Sequence, residues 1–267
     1  MQNDARLTRQ LWLVGVGFFM QTLDSTIVNT ALPSMARSLG ESPLRMQSVV
    51  VAYTLTMAMI IPASGWIADR FGLRTTFLAA IVLFVTGSIA CASSPTLDVL
   101  IASRVLQGMG GAMLLPVGRL SLLRSFPRQR LLEAMSFVAI PGLIGPLIGP
   151  TLGGWLTQVA SWHWIFLINV PVGIAGAIAT RAWMPESRIA NLARFDITGY
   201  GMLTFGMIAI SIAFDGLGEL GMRHATVLVL LIGGFAGIVA YWLHAIRRPN
   251  PLFARDLLVV ATFRVGL

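Results

Sequence analysis

Apolar residues fall along this chain in long runs divided by short polar breaks. Eight runs approach the roughly 20 residues that a helix needs to cross the hydrocarbon core of a bilayer. They are 11–32, 49–67, 75–93, 96–118, 133–156, 164–183, 197–215 and 225–246. Linkers are short except 184–195 and 247–263, so no soluble domain fits between the runs. A charged stretch around 185–196 separates the first six runs from the last two. The pattern predicts an all-α polytopic membrane protein in three parts. These are a six-helix unit over 1–183, two further transmembrane helices with their linker over 184–246, and a linker over 247–267. A ninth span could open at Phe263. The first run contains Asp24 and Asn29 and exceeds the apolar core of a signal peptide, so it reads as a retained helix.

Composition agrees: 56% of residues are hydrophobic and 11% charged, with a mean hydropathy of +0.79, against about 25% charged in soluble domains. The net charge of +8 would suggest nucleic acid in a soluble protein. Every basic residue here is Arg, and 14 of the 19 fall on the N-terminal side of the spans. Arg37, Arg45 and Arg223 fall on the other side. By the positive-inside rule the N-terminus is cytoplasmic, so the basicity reports topology and not a nucleic-acid partner. Cys91 stands alone and forms no internal disulfide. His163, His224 and His244 are too scattered for a metal site. No nucleophile triad or phosphate-cradling loop is present, so an enzyme is not expected and no cofactor is implied.

Four stretches carry the chemistry. GWIADRFGLR (65–74) joins the second and third runs in a tight hairpin, with Asp69, Arg70 and Arg74 among Gly65 and Gly72. A carboxylate there can cap the positive end of a neighbouring helix. LDSTIVNTALP (23–33) puts Asp24 about eight residues, near 12 Å, inside the end of the first run. An ionisable group at that depth is costly unless paired or hydrated, and is a functional candidate by default; a structural ion pair is the plainer alternative. In LIASRVLQGMGGA (100–112), Arg104 reaches a comparable depth from the opposite direction. The two are therefore expected to lie close, with snorkelling of Arg104 to the surface as the alternative. Gly145, Gly149 and Gly153 recur every four residues in PGLIGPLIGPTLGG and form one smooth face for helix packing; the repeated prolines kink the helix.

An internal repeat links two of these regions. GWIADRFGLRTTFL (65–78) aligns without gaps on GWLTQVASWHWIFL (154–167), with Gly, Trp, Phe and Leu coinciding at a separation of 89 residues. One stretch joins spans two and three, the other spans five and six, on opposite sides of the membrane. Inverted three-helix repeats predict this relation.

The 65–74 motif resembles the signature loop between helices 2 and 3 of major facilitator superfamily transporters. The stretches at 23–33, 100–112 and 145–154 resemble motifs of the fourteen-helix drug:proton antiporters of that superfamily, with Asn29, Pro33, Gln107 and Gly108 in register. SWHWIFLINVPVG (161–173) also resembles the family, with His163 where Arg is more usual and Trp162 and Trp164 suited to an aromatic belt. Leu73 departs from a position that is often basic.

The resemblance implies a six-helix major-facilitator N-terminal half of 3+3 inverted repeats, followed by a two-helix linker hairpin. Asp24 would handle the proton as coupling ion, with Arg104 tuning it. Gly65, Asp69, Arg70, Gly72 and Arg74 would form a conformational latch. Gly145, Pro146, Gly149, Pro150, Gly153 and Gly154 would form an antiport motif at the contact with the other half. Implied partners are a small-molecule substrate, the lipid bilayer, and a missing C-terminal half or a second copy of the chain. The implied activity is proton-coupled export of drugs or other small amphipathic compounds from the bacterial inner membrane. A narrow metabolite exporter or symporter, and a non-transporting membrane fragment or assembly partner, are the alternatives. Asp215 and Glu219 are expected in a solvated turn.

Overall fold

A computed structural model describes residues 2–190, 192–218, 222–248 and 252. Among them the helices are α1 (Gln2–Leu39), α2 (Pro43–Phe71), α3 (Leu73–Ala92), α4 (Leu97–Ser125) and α5 (Leu131–Val159). They continue with α6 (Trp164–Leu167), α7 (Asn169–Trp183), α8 (Ile197–Gly218) and α9 (His224–Arg247). No strand occurs among the described residues. Eight helical stretches are long and apolar enough to cross a membrane, with α6 and α7 together forming the sixth. The protein is an all-α polytopic membrane protein. Glu219, the side chain of Asp215 and most of 247–267 lie outside the described residues.

Local sequence sets the helix ends. α1 runs on past Pro33, beyond its apolar run, and stops before Gly40, whose φ of 67° suits a glycine. Ser42 caps α2 by accepting from Arg45 N at 3.3 Å, and Pro43 occupies its first turn. Thr96 caps α4 in the same way. Span six runs from Trp164 to Trp183 as expected; Ile168 N still donates to Trp164 O at 3.0 Å, but a turn at Ile168 divides α6 from α7. Pro171 explains this, because it offers no N–H to the carbonyl of Leu167.

Two compact units result, Met1–Ile189 and Ala190–Leu267. The first unit extends past residue 183 because the segment after α7 is tied to the α2–α3 turn. Ser187 O accepts from Leu73 N at 3.2 Å, and Ile189 N donates to Asp69 O at 3.1 Å. Within this unit α1 packs chiefly on α5, and α4 on α2 and α3. One apolar cluster gathers Phe77, Phe84, Leu114 and Leu122; another gathers Ile27, Met35, Val49 and Phe166. The two meet part-way along α1 (between Met20 and Ile27), α3 (between Phe84 and Cys91) and α4 (between Leu100 and Met113). Asp24, Ser88, Arg104 and Gln107 fill that level.

The aligned stretches 65–78 and 154–167 each cover a helix end, a turn and the next helix start. Their matching Phe77 and Phe166 are both fully buried. Trp162, expected at a membrane surface, is buried instead and stacks on the His163 ring at 3.8 Å between centroids. Trp164 is the exposed one. His163 approaches Ser161 Oγ at 3.2 Å, and partial burial holds its pKa below the usual imidazole range.

In the second unit α8 and α9 pack together through Gly206, Gly234 and Gly237, where a side chain would meet the facing backbone. Asp196 caps α8 by accepting from Gly199 N at 3.0 Å and also meets His244 Nε2 at 3.0 Å. Burial pushes the Asp196 pKa up, but the Gly199 N–H, His244 and Arg248 outweigh it and hold the carboxyl below its usual range.

Candidate functional site: a buried ion pair and its surroundings

The polar level of the first unit is built around Asp24 and Arg104, which are 0% and 1% exposed. Arg104 Nη1 donates to Asp24 Oδ2 at 2.7 Å. It also donates to Gln107 Oε1 at 2.7 Å, one helical turn along α4. Gln107 Nε2 then donates to Asp24 Oδ1 at 2.8 Å and to Ser88 Oγ at 2.7 Å. Asn169 Nδ2, from the first turn of α7, reaches the same Asp24 oxygen at 3.1 Å and Ser88 Oγ at 3.4 Å. The guanidinium of Arg104 lies 4.0 Å from the Tyr53 ring centre, a cation–π contact from α2. A buried pair is tolerated when its remaining lone pairs and protons find partners; here Gln107 and Asn169 donate to the carboxylate, and Val49 O accepts from Arg104 Nε at 3.4 Å.

The expected approach of Asp24 and Arg104 is therefore direct contact, and Arg104 does not snorkel. Gly108 stands nearby on α4, where a Cβ would sit 3.0 Å from Thr56 and 3.1 Å from Tyr53 O of α2. Asn29 and Pro33 are exposed on α1 and are not part of this group. Neither helps to hold it. Ser88 and Tyr53 are members that the motifs did not point to, and Asn169 sits inside the 161–173 stretch without having been singled out; the available signal was a polar side chain inside each otherwise apolar run.

The 65–74 hairpin forms a second site, where α2 ends. Asp69 pairs with Arg124 near the end of α4, so its partner is a side chain and not the expected helix terminus. Arg74 Nε donates to Met184 O at 2.7 Å, and Arg70 is exposed. Gly72 adopts φ 94° and ψ 149°, a region open essentially to glycine. A Cβ there would also strike the Glu186 carboxylate. Leu73, the departure from the family pattern, is fully buried. Gly65 has open space where a side chain would go.

The glycine face of α5 requires a correction. Gly145, Gly149 and Gly153 are buried against α1, where a Cβ on each would collide with Thr22, Thr26 and Thr30 respectively. They are not available as a surface for another half. The exposed face of α5 instead carries Pro146, Pro150, Leu143 and Leu147, and Gly154 has open space beside it. Periodicity announced a smooth face but not which neighbour fills it.

Comparison with known proteins places this arrangement. The sequence profile of the Major Facilitator Superfamily matches residues 14–263. The chain belongs to that superfamily. It is 55% identical over its full length to "Putative multidrug resistance protein MdtD" of Serratia proteamaculans (strain 568), spanning 56% of that relative. It is 54% identical to the protein of the same name from Pectobacterium carotovorum subsp. carotovorum (strain PC1), spanning 57% of it. The chain thus spans little more than half the length of the curated relatives it matches. Among solved structures, a POT family transporter in complex with 5-aminolevulinic acid aligns over 91% of this chain and 53% of its own. Its TM-score is 0.65 at 18% identity. The human organic anion transporter MFSD10 aligns over 92% of this chain and 73% of its own, with a TM-score of 0.58 at 12% identity. These two likenesses concern the fold. Major-facilitator membership and the MdtD relatives point away from an enzyme.

Proposed function

We propose that this chain is the six-helix N-terminal half, with two further helices, of a proton-coupled antiporter that exports drugs or other small amphipathic compounds. The two halves would rock by alternating access around a midplane site. The observation that carries the reading is the Asp24–Arg104 pair, buried where α1, α2, α3, α4 and α7 meet. Intramembrane ionisable groups in such positions mark proton and substrate pathways. Proton arrival at Asp24 would neutralise the pair and release Arg104. The Asp69–Arg124 contact would latch the N-terminal side of the bundle. The names of the MdtD relatives favour multidrug efflux over a narrow metabolite exporter. The arginine distribution favours a cytoplasmic N-terminus, and the relatives' bacterial sources favour the inner membrane. The exposed α5 face bearing Leu143 and Leu147 suits either lipid or a second half, which a second copy of the chain could also supply.

The test uses everted membrane vesicles from cells expressing the chain joined to the remainder of the Serratia relative. Acidifying the vesicle lumen should drive accumulation of a fluorescent amphipathic cation, and Asp24→Asn should abolish it. Accumulation that ignores the pH gradient would remove proton coupling. Accumulation only with an inward proton and substrate flux together would make the protein a symporter.

A further inference from the structure

Every contact that Asp24 makes among the described residues comes from an N–H donor. Arg104 supplies one to Oδ2, and Gln107 and Asn169 supply one each to Oδ1. This cage suits a carboxylate and offers nothing to a carboxylic O–H, which needs an acceptor. The two amides differ in their freedom to provide one. Gln107 is locked, because its Oε1 must face the Arg104 guanidinium at 2.7 Å, which points its Nε2 at Asp24. Asn169 is not locked, because its Oδ1 forms no hydrogen bond among the described residues. Its Nδ2 touches only Asp24 and Ser88. Ser88 presents a hydroxyl, which can accept or donate. The other titratable groups around the site are Tyr53 of α2 and Cys91 of α3, both buried; α5 turns glycines and no ionisable group toward α1 here.

We propose that Asn169 is the positioning residue that reads the protonation state of Asp24. The inference rests on the proton-coupling reading above. When Asp24 gains a proton on Oδ1, the Asn169 amide inverts. Its Oδ1 then accepts from the new O–H, and Ser88 reverses from acceptor to donor toward the same oxygen. Apart from the Arg104 contact, which neutralisation weakens, no other bond changes partner type. Asn169 opens α7 beside the turn at Ile168, so the inversion acts on span six where α6 and α7 join. A change at α1 is thereby reported to a helix of the opposite three-helix repeat.

Infrared difference spectroscopy of the whole chain in lipid, recorded between high and low pH, tests this with ¹³C-labelled asparagine side chains. The expected result is a carboxyl band rising on acidification together with a shift of one labelled amide carbonyl band. Asp24→Asn should remove both, and Asn169→Leu should remove the amide shift while keeping the carboxyl band. In Asn169→Leu the carboxyl midpoint should also move up by about half to one pH unit. A hydrogen bond to an ionised acceptor is stronger than one to a neutral group, so its loss costs the carboxylate more than the acid. Ser88→Ala, which leaves Asn169 in place, should keep the carboxyl band and shrink the amide shift. A carboxyl band that titrates without any amide shift, and with a midpoint unmoved by Asn169→Leu, would overturn the role of Asn169 alone. A chain with no Asp24 carboxyl band at any pH would overturn the proton-coupling reading and this inference with it.

Discussion

Two Asp–Arg pairs hang on the same helix, and their environments set them apart. Asp24–Arg104 and Asp69–Arg124 both join the first repeat to α4, with the arginines about 20 residues, or roughly 30 Å, apart along it. The first pair is sealed from solvent, and amide donors meet the remaining lone pairs of its carboxylate. The second is about a quarter exposed, and its loop is held mainly by backbone contacts to 184–189. Depth, more than chemistry, decides what each pair does. Water screens the outer pair, which can open at little cost. The inner pair cannot open unless a proton or a rearrangement compensates its charge.

The sharpest way to break this comparison is to remove one partner from each pair. Arg104→Met should destabilise the first unit by about 3–5 kcal/mol, because it strands a buried carboxylate. Combining it with Asp24→Asn should recover most of the loss. Thermal unfolding in detergent micelles measures both, and equal costs for single and double variants would contradict the buried-pair account. Next in size is Gly72→Ala, expected to cost about 1–3 kcal/mol through its forced backbone conformation. Faster proteolysis within 184–189 should accompany it, since that segment is strapped to the same turn. Asp69→Asn should cost no more than about 1 kcal/mol, and the effect should fade near 1 M salt. The Arg104→Met cost should persist there. The smallest effect concerns the α8–α9 hairpin. The Asp196 carboxyl is held below its usual range in the folded state, so its stabilisation is complete above the ordinary carboxylate range. It is lost as pH falls through that range toward the lower folded value. Asp196→Asn should flatten the acid limb of a pH–stability curve.

Much of the fold could be read from the chain because crossing a bilayer leaves a strong one-dimensional record: all eight apolar runs became helices. Arg104 and Asp24 were traceable because two charges at matching depths in lipid have few other partners. What failed was azimuth. Gly145, Gly149 and Gly153 announced a packing face, yet the neighbour proved to be α1. Asn29 stood in a polar motif but points outward, whereas Asn169 and Ser88 point inward, and a polar side chain in each run did not say which way it would face. Which side of a helix meets which neighbour depends on the whole bundle, and linear spacing carries only the period. Gly72 was expected to permit a tight turn, but its contact with 184–189 depended on a segment that looked like a mere linker.

The seam between α1 and α5 has a consequence for motion. Thr22, Thr26 and Thr30 each spend their hydroxyl on a carbonyl of α1 itself, at 2.8–3.1 Å. Opposite them stand glycines, which have no side chain to catch. Among the described residues no hydrogen bond crosses this seam. Sliding α5 along α1 would therefore rupture nothing polar. The threonines and glycines hold the two helices by close packing alone. The most extensive helix contact in the first unit thus rests on shape and not on hydrogen bonds.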